Sequence, residues 1–260
     1  MVAVIGKHDE GRVRVLTMDR PDSLNALNSE MLFSLQHHLA EIEADDGVGC
    51  VVIRGAGDRA FCAGADLDEI RGLDYEAAHR FLSRGHGVMT AIAHARVPVV
   101  AAVDGWALGG GFELMLACHI VVASTSSRFG LPEAKIGCMP GFGGTQRLLH
   151  AVGKPVALRM MLSGEPIDAQ TAWQVGLLSQ PPVPPADLEP TVRALAESIA
   201  SGSRTGMKRI LDAAGAAARP AALDYEAALA AAAIASADGQ EGITAFAERR
   251  PPIFARGSSS

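Results

Sequence analysis

The sequence has no Cys-x-x-Cys pair, no excess of cations, no unbroken apolar run of membrane-spanning length and no apolar leader at its start, and each absence excludes something. Its four cysteines, Cys50, Cys62, Cys118 and Cys138, lie 12, 56 and 20 residues apart. That spacing makes neither a redox dithiol nor a zinc knuckle, so four small buried residues in a reducing compartment, the cytoplasm, are expected. With 23 Lys and Arg against 29 Asp and Glu, the formal net charge is −6. A nucleic-acid binder needs clustered cations, so that class is excluded and any anionic ligand must be gripped locally. Residues 97–123 are the most apolar stretch, but Pro98, Asp104, three glycines, Glu113 and His119 interrupt it. A span needs about 20 predominantly apolar residues in one helix, so a core strand, a helix and a second strand are expected there. Residues 1–11 show no apolar segment ending in a small-residue cleavage site, so no secretory signal is expected.

What the chain does contain is ordinary globular material: 260 residues, 48% of them apolar and 20% charged, enough for a substantial core. Residues 12–18 alternate polar and apolar like a strand. Asn28-Ser29 opens a helix with Leu32, Leu35, Leu39 and Ile42 on one face. Adjacent His37 and His38 point to different sides of that helix, a poor metal site; no metal is expected. Residues 50–53 and 119–123 read as further buried strands, and residues 74–93, 154–163 and 168–176 as helices stopped by Gly164 and Gly176.

The chain is organised around Trp106-Ala107-Leu108-Gly109-Gly110-Gly111-Phe112-Glu113, which follows the β-branched run at 97–103 and precedes a Leu/Met/Ala-rich segment. Glycines at a strand-to-helix handover let the backbone approach a ligand closely. They also leave amide N–H groups unpaired at a helix N-terminus, where the dipole favours negative charge. That is the recipe for an oxyanion hole, with the Glu113 carboxylate in the first helical turn beside it. On this stretch alone, the same residues read equally as a flexible turn with a dipole-complementing Glu.

A second small-residue loop, Cys62-Ala63-Gly64-Ala65-Asp66, leads into Leu67 and again leaves amides accessible, as an oxyanion hole of two donors requires; alone, it is also a plain connector. Glu133 follows Pro132, whose ring fixes the backbone, and can converge with Glu113 if the intervening strand returns to the same edge. Pro140-Gly141-Phe142-Gly143-Gly144-Thr145 opens another helix in the manner of a phosphate loop. It lacks the Gly-Lys-Ser/Thr ending, which argues against a nucleoside triphosphate. Pro181-Pro182-Val183-Pro184-Pro185 is a stiff linker and the best candidate boundary, dividing a core at 1–185 from a helical region at 186–260. Alanine-rich residues 221–237 give a helix little side-chain area of its own, so close packing on neighbours or other subunits is expected. Phe246 and Phe254 flank Glu248-Arg249-Arg250 as aromatic anchors, and the 257–260 tail carries no expectation.

Together these segments resemble the enoyl-CoA hydratase/isomerase (crotonase) superfamily. Asn25-Ala26-Leu27-Asn28, Ala63-Gly64-Ala65-Asp66, Asp104-Gly105-Trp106-Ala107-Leu108-Gly109-Gly110-Gly111, Leu131-Pro132-Glu133 and Gly143-Gly144-Thr145-Gln146-Arg147-Leu148 follow in family order, and Glu241-Gly242-Ile243-Thr244-Ala245-Phe246 closes the set. The resemblance implies an α/β fold, a crotonase-like spiral of strand-strand-helix repeats with a helical C-terminal trimerisation region, assembled as a trimer or a hexamer. It implies an acyl-CoA thioester substrate, with coenzyme A part of that substrate and no separate cofactor. By position, Ala63 and Gly110 are the implied oxyanion-hole amides, and Glu113 and Glu133 the catalytic pair. Arg59, Ala65, Asp66, Leu67, Trp106, Gly109, Pro132, Gly141, Phe246 and Arg249 are implied on the substrate, Arg249 reaching coenzyme A from a neighbouring subunit. Three departures stand out: Trp106 replaces a common Tyr, Phe142 a common Ala, and Asp68 a Lys of some hydratases.

The chemistry fits. Water added across a double bond conjugated to a thioester drives negative charge onto the carbonyl oxygen, and two fixed amides stabilise it. One carboxylate activates the water and the other supplies the α-proton, with Glu113 assigned as base and Glu133 as acid. Possession of both carboxylates favours a hydratase. The alternatives are a double-bond isomerase of the same superfamily and a non-catalytic oligomeric acyl-CoA binder.

Overall fold

The computed structural model describes residues 4–215 and 221–253; Phe254 and the 257–260 tail lie outside them. The chain opens with β1 (Ile5–Glu10) and β2 (Val13–Met18), a hairpin across Gly11, then α1 (Ser29–Ala44), whose first turn is capped by Asn28 Oδ1 accepting the Met31 N–H at 2.9 Å. A repeating pattern follows. β3 (Cys50–Gly55) leads into β4 (Ala60–Cys62) and then α2 (Leu67–Ile70) and α3 (Tyr75–Ala93). β5 (Val99–Val103) leads into β6 (Trp106–Leu108) and α4 (Gly110–Ala117). β7 (Ile120–Ala123) leads into β8 (Arg128–Gly130) and a 3-10 turn at Glu133–Ile136.

The first strand of each repeat joins one sheet, of order β1-β2-β3-β5-β7, and the second joins another, of order β4-β6-β8-β9, with β9 at Ile167–Asp168. Pairing is parallel except at the β1/β2 and β8/β9 edges. This is the strand-strand-helix spiral the resemblance implies. The Val, Ile and Ala side chains of β3 and β5 are buried on both faces, as a covered parallel sheet demands.

One expectation needs refinement. The glycines do follow a strand, but that strand is β6 in the second sheet rather than β5 in the first. Asp104-Gly105 turns the chain between them, and Gly105, at φ +69°, lies where a Cβ would overlap Arg59. Trp106–Leu108 is too short to show as a separate apolar run.

Helices complete the layers. α5 (Gly144–Ser163) is two helices joined at Gly153, whose φ of 74° and ψ of 161° leave the helical region; α6 (Ala169–Gln174) follows, capped by Asp168. Val183 is tied to β7 by bonds to Ala123 and Thr125, so the proline segment is pinned to the sheet edge. α7 (Pro185–Ala200) then lays Leu188, Val192, Ala196 and Ala200 over Val13, Val15, Val52, Val100 and Val122. After α8 (Arg204–Gly215) come α9 (Ala221–Ala235), packed along α3, and α10 (Ala237–Ala247), packed on the 3-10 turn. The alanine-rich run is not one helix through 237: Ser236 ends it and caps α10 by accepting the Gly239 N–H at 3.0 Å.

All four cysteines are free thiols, Cys50 and Cys62 buried, Cys118 and Cys138 half-buried, and burial pushes each up to about 12. His37 and His38 both lie against Glu41. Among the described residues, no helix is long and apolar enough to cross a membrane.

Candidate active site

Two loops and two helix N-termini meet at one point. Gly109 caps α4 at φ +50°, and Gly110 opens it, so the Gly110 N–H lies in a first turn with no intrahelical acceptor available to it. Against it lies the 62–66 loop. A Cβ at Gly64, which sits at φ +111°, would lie 3.4 Å from Gly110 N and 3.6 Å from Gly109 Cα. A Cβ at Gly110 would lie 3.4 Å from Ala65 N. Glycine is required on both sides, at Gly64 by its φ and by the Leu108 carbonyl 3.1 Å from a Cβ there, and at Gly110 by the Phe142 ring 2.8 Å from a Cβ there.

Ala63 is not the partner amide, and here the sequence expectation is corrected. Its N–H donates to the Leu24 carbonyl at 3.0 Å, so it is already spent holding the loop. Ala65 differs because of how it pairs. In the parallel bridge between Leu27 and Ala65, both hydrogen bonds run to Leu27: its N–H donates to Gly64 and its carbonyl accepts from Asp66. A parallel bridge of this kind leaves the other residue's own N–H facing the opposite side, here the side of Gly110.

Both predicted carboxylates border this seam, Glu133 against Gly109 and Glu113 at the α5 N-terminus, whose Phe142 ring touches Gly110. Glu113, 2% exposed, hangs from the first turn of α4, and its Oε1 accepts the backbone N–H groups of Phe142 at 2.8 Å and Gly144 at 2.7 Å. Gly144 is the first residue of α5, so what the glycine-rich segment grips at a helix N-terminus is the protein's own Glu113 carboxyl. Glu133 begins the 3-10 turn behind Pro132, and its Oε1 lies 3.0 Å from where a Cβ on Gly109 would stand. α10 braces that turn from behind: Gly242 packs so close to the Ile136 carbonyl that no side chain fits between them.

The remaining predicted residues divide. Gly109, Gly110, Ala65 and Pro132 are part of the cluster. Leu67 starts α2 at the end of the 62–66 loop, and Gly141 is buried against Leu82 and Ala230 beside it. The Asp66 side chain is engaged within the chain, ion-paired with Arg20 at 2.9 Å and capping α2 through the Asp68 and Glu69 N–H groups. Arg59 and Trp106 are exposed neighbours, joined where the Trp106 N–H donates to the Arg59 carbonyl at 3.1 Å. Phe246 and Arg249 are exposed at the C-terminal end of α10, and Asp68 is exposed and paired with Arg71.

Sequence reasoning missed the two amides that hold Glu113; it noted Phe142 as a departure from a common Ala, but not where its ring lies. That ring is 2% exposed and wedged between Gly110 and Gly85 of α3. The signals for it were that departure and an aromatic inside a glycine-rich turn.

Two amides directed at one gap, with two carboxylates beside it, is the arrangement that enolate chemistry on a carbonyl compound needs. The chain belongs to the enoyl-CoA hydratase/isomerase family, whose model matches residues 8–257. Among curated relatives, it is 40% identical over 199 residues to a short-chain-enoyl-CoA hydratase of Clostridium acetobutylicum, covering 76% of each chain. It is 42% identical over 248 residues to a 2,3-dehydroadipyl-CoA hydratase of Escherichia coli, covering 94% of this chain and 95% of that one. A crystal structure of an enoyl-CoA hydratase from Mycobacterium avium subsp. paratuberculosis superposes with a TM-score of 0.88 at 31% identity, covering 98% of this chain and 100% of that one.

Proposed function

We propose that this protein is an enoyl-CoA hydratase, adding water syn across the double bond of a trans-2-enoyl-CoA to give the 3-hydroxyacyl-CoA. The observation that carries the reading is the Ala65–Gly110 amide seam with Glu133 against Gly109 on one side and Glu113 held at the adjoining α5 N-terminus on the other. The thioester oxygen sits between the two N–H groups and gains charge there as the enolate forms. Each such donor contributes on the order of 3 kcal/mol to the transition state. Glu113, held as an acceptor by Phe142 and Gly144, takes the proton of the attacking water, and Glu133 delivers the proton to the α-carbon. Coenzyme A enters as part of the substrate, and the chemistry calls on no further cofactor.

Residues 186–260 are the oligomerisation region in this reading. The assembly is a trimer or a pair of trimers in the cytoplasm, in which Phe246 and Arg249 of one subunit reach the coenzyme A bound to the next. Exposure of both residues at the end of α10 supports that placement.

The test is hydration of 2-butenoyl-CoA by the purified protein, beside Glu113→Gln and Glu133→Gln. A hydratase loses roughly 10²–10⁴-fold in turnover with either change. Conversion of a 3-enoyl-CoA without hydration would favour the isomerase, and undiminished acyl-CoA binding with no turnover in the parent would favour a binder.

A further inference from the structure

We propose that Phe142 is the end wall of the acyl pocket and confines the enzyme to short acyl chains; this rests on the hydratase reading of the same site. The ring spans from one helix to another. At one edge, Cδ2 and Cε2 lie 2.8 and 2.9 Å from where a Cβ on Gly110 would stand; at the other, the ring overlaps the Cβ position of Gly85, with Cζ at 2.7 Å. Gly85 is thus a notch in α3 that receives the ring, and Phe81, one turn earlier, packs on it with centroids 5.7 Å apart.

The wall is also stiff. The Phe142 N–H is donated to Glu113 and its carbonyl accepts from Arg147 Nη1 at 2.8 Å, so its peptide is fixed on both sides. Beside it, Gly141 packs against Leu82 and Ala230 with no room for a side chain of its own. In the hydratase reading, the thioester carbon lies at the Ala65 and Gly110 amides and the α- and β-carbons lie between the two glutamates. The next carbons then run onto the ring attached to the very peptide that holds Glu113. Close-packed interiors do not yield to an added methylene without cost.

The experiment is kcat/KM for 2-butenoyl-, 2-hexenoyl- and 2-decenoyl-CoA with the parent, Phe142→Ala and Phe142→Leu. The parent is expected to favour butenoyl over decenoyl by about 10-fold or more, since misfit in an apolar pocket is worth roughly 10–200-fold. Phe142→Ala is expected to shift that ratio at least about 10-fold towards decenoyl, with Phe142→Leu intermediate; if the alanine variant does not fold, the leucine variant decides. A parent that hydrates decenoyl as fast as butenoyl, or folded variants whose ratio stays within about two-fold of the parent's, would overturn the wall while leaving the hydratase reading intact. A parent that hydrates none of the three overturns both.

Discussion

Glu113 and Gly144 are joined by a 2.7 Å hydrogen bond from the first backbone amide of α5 to the carboxylate Oε1. There is no room for a side chain in that contact: a Cβ on Gly144 would lie 2.9 Å from Oε1 and 3.0 Å from Cγ. Gly144→Ala therefore moves the proposed base without touching its chemistry. Displacement of a catalytic group by an ångström can cost about 10²-fold, so a 10- to 100-fold loss in kcat is expected, with a smaller change in KM. Steady-state kinetics on 2-butenoyl-CoA checks it, and an unchanged kcat would show that Glu113 does not act from this position.

Gly64→Ala tests the amide seam. The residue sits at φ +111°, and its Cβ would press on the Leu108 carbonyl at 3.1 Å and reach contact distance of Gly110 N at 3.4 Å. The backbone strain costs on the order of 1–3 kcal/mol, read as a lower melting temperature. Turnover of the folded fraction is expected to fall by up to about 10²-fold as the two donors are pushed apart.

The adjacent arginines of the C-terminal region should separate cleanly. Arg250 is committed within the chain, gripping Glu241 through two bonds at 2.6 and 2.9 Å, whereas Arg249 is exposed at φ +56° beyond the end of α10. Arg249→Ala is expected to raise KM for acyl-CoA with kcat held within about two-fold, as loss of a phosphate contact would. Arg250→Ala is expected to lower the melting temperature and leave KM nearly unchanged. A fall in kcat with Arg249→Ala matching the rise in KM would remove its purely binding role.

His119 makes stability depend on pH. Its Nδ1 accepts the Val99 N–H at 3.0 Å and its Nε2 faces the Ala93 carbonyl at 3.3 Å, which suits only the neutral ring; burial holds its pKa below the ordinary 6.5. The unfolded chain then binds a proton that the folded chain refuses, so the contribution is complete above about pH 6.5 and is lost as pH falls below it. Melting temperature measured from pH 7.5 to 5 should decline, and His119→Gln should flatten that decline. The Asp9 carboxylate does not share this window. The Arg14 guanidinium beside Asp9 holds its carboxyl below the usual range, and stability from that pair is lost only as pH falls further.

The legible parts of the fold were those where local composition and tertiary role agree. β3, β5 and β7 are buried on both faces and read as apolar runs, and α3 carries both its capping Asp74 and its apolar stripe in its own sequence. β1 escaped because it is an edge strand whose residues 6–10 are mostly exposed, so it has no apolar signature. The strands of the second sheet are two or three residues long and are defined by their partners alone. The two glutamates were recoverable because each follows a Gly or Pro signal at a helix start. Choosing between Ala63 and Ala65 was not possible locally, since both are small residues in one loop. What separates them is a bridge to Leu27 and a bond to Leu24, contacts that exist only once the chain has folded.

One peptide, that of Phe142, serves two masters. Its nitrogen anchors the carboxylate while its ring fills the notch at Gly85. In the hydratase reading, selectivity and reactivity are therefore mechanically geared together. On that reading, trimming the aromatic at 142 to admit a bulkier substrate keeps the N–H that holds Glu113 but removes the ring that steadies the peptide carrying it.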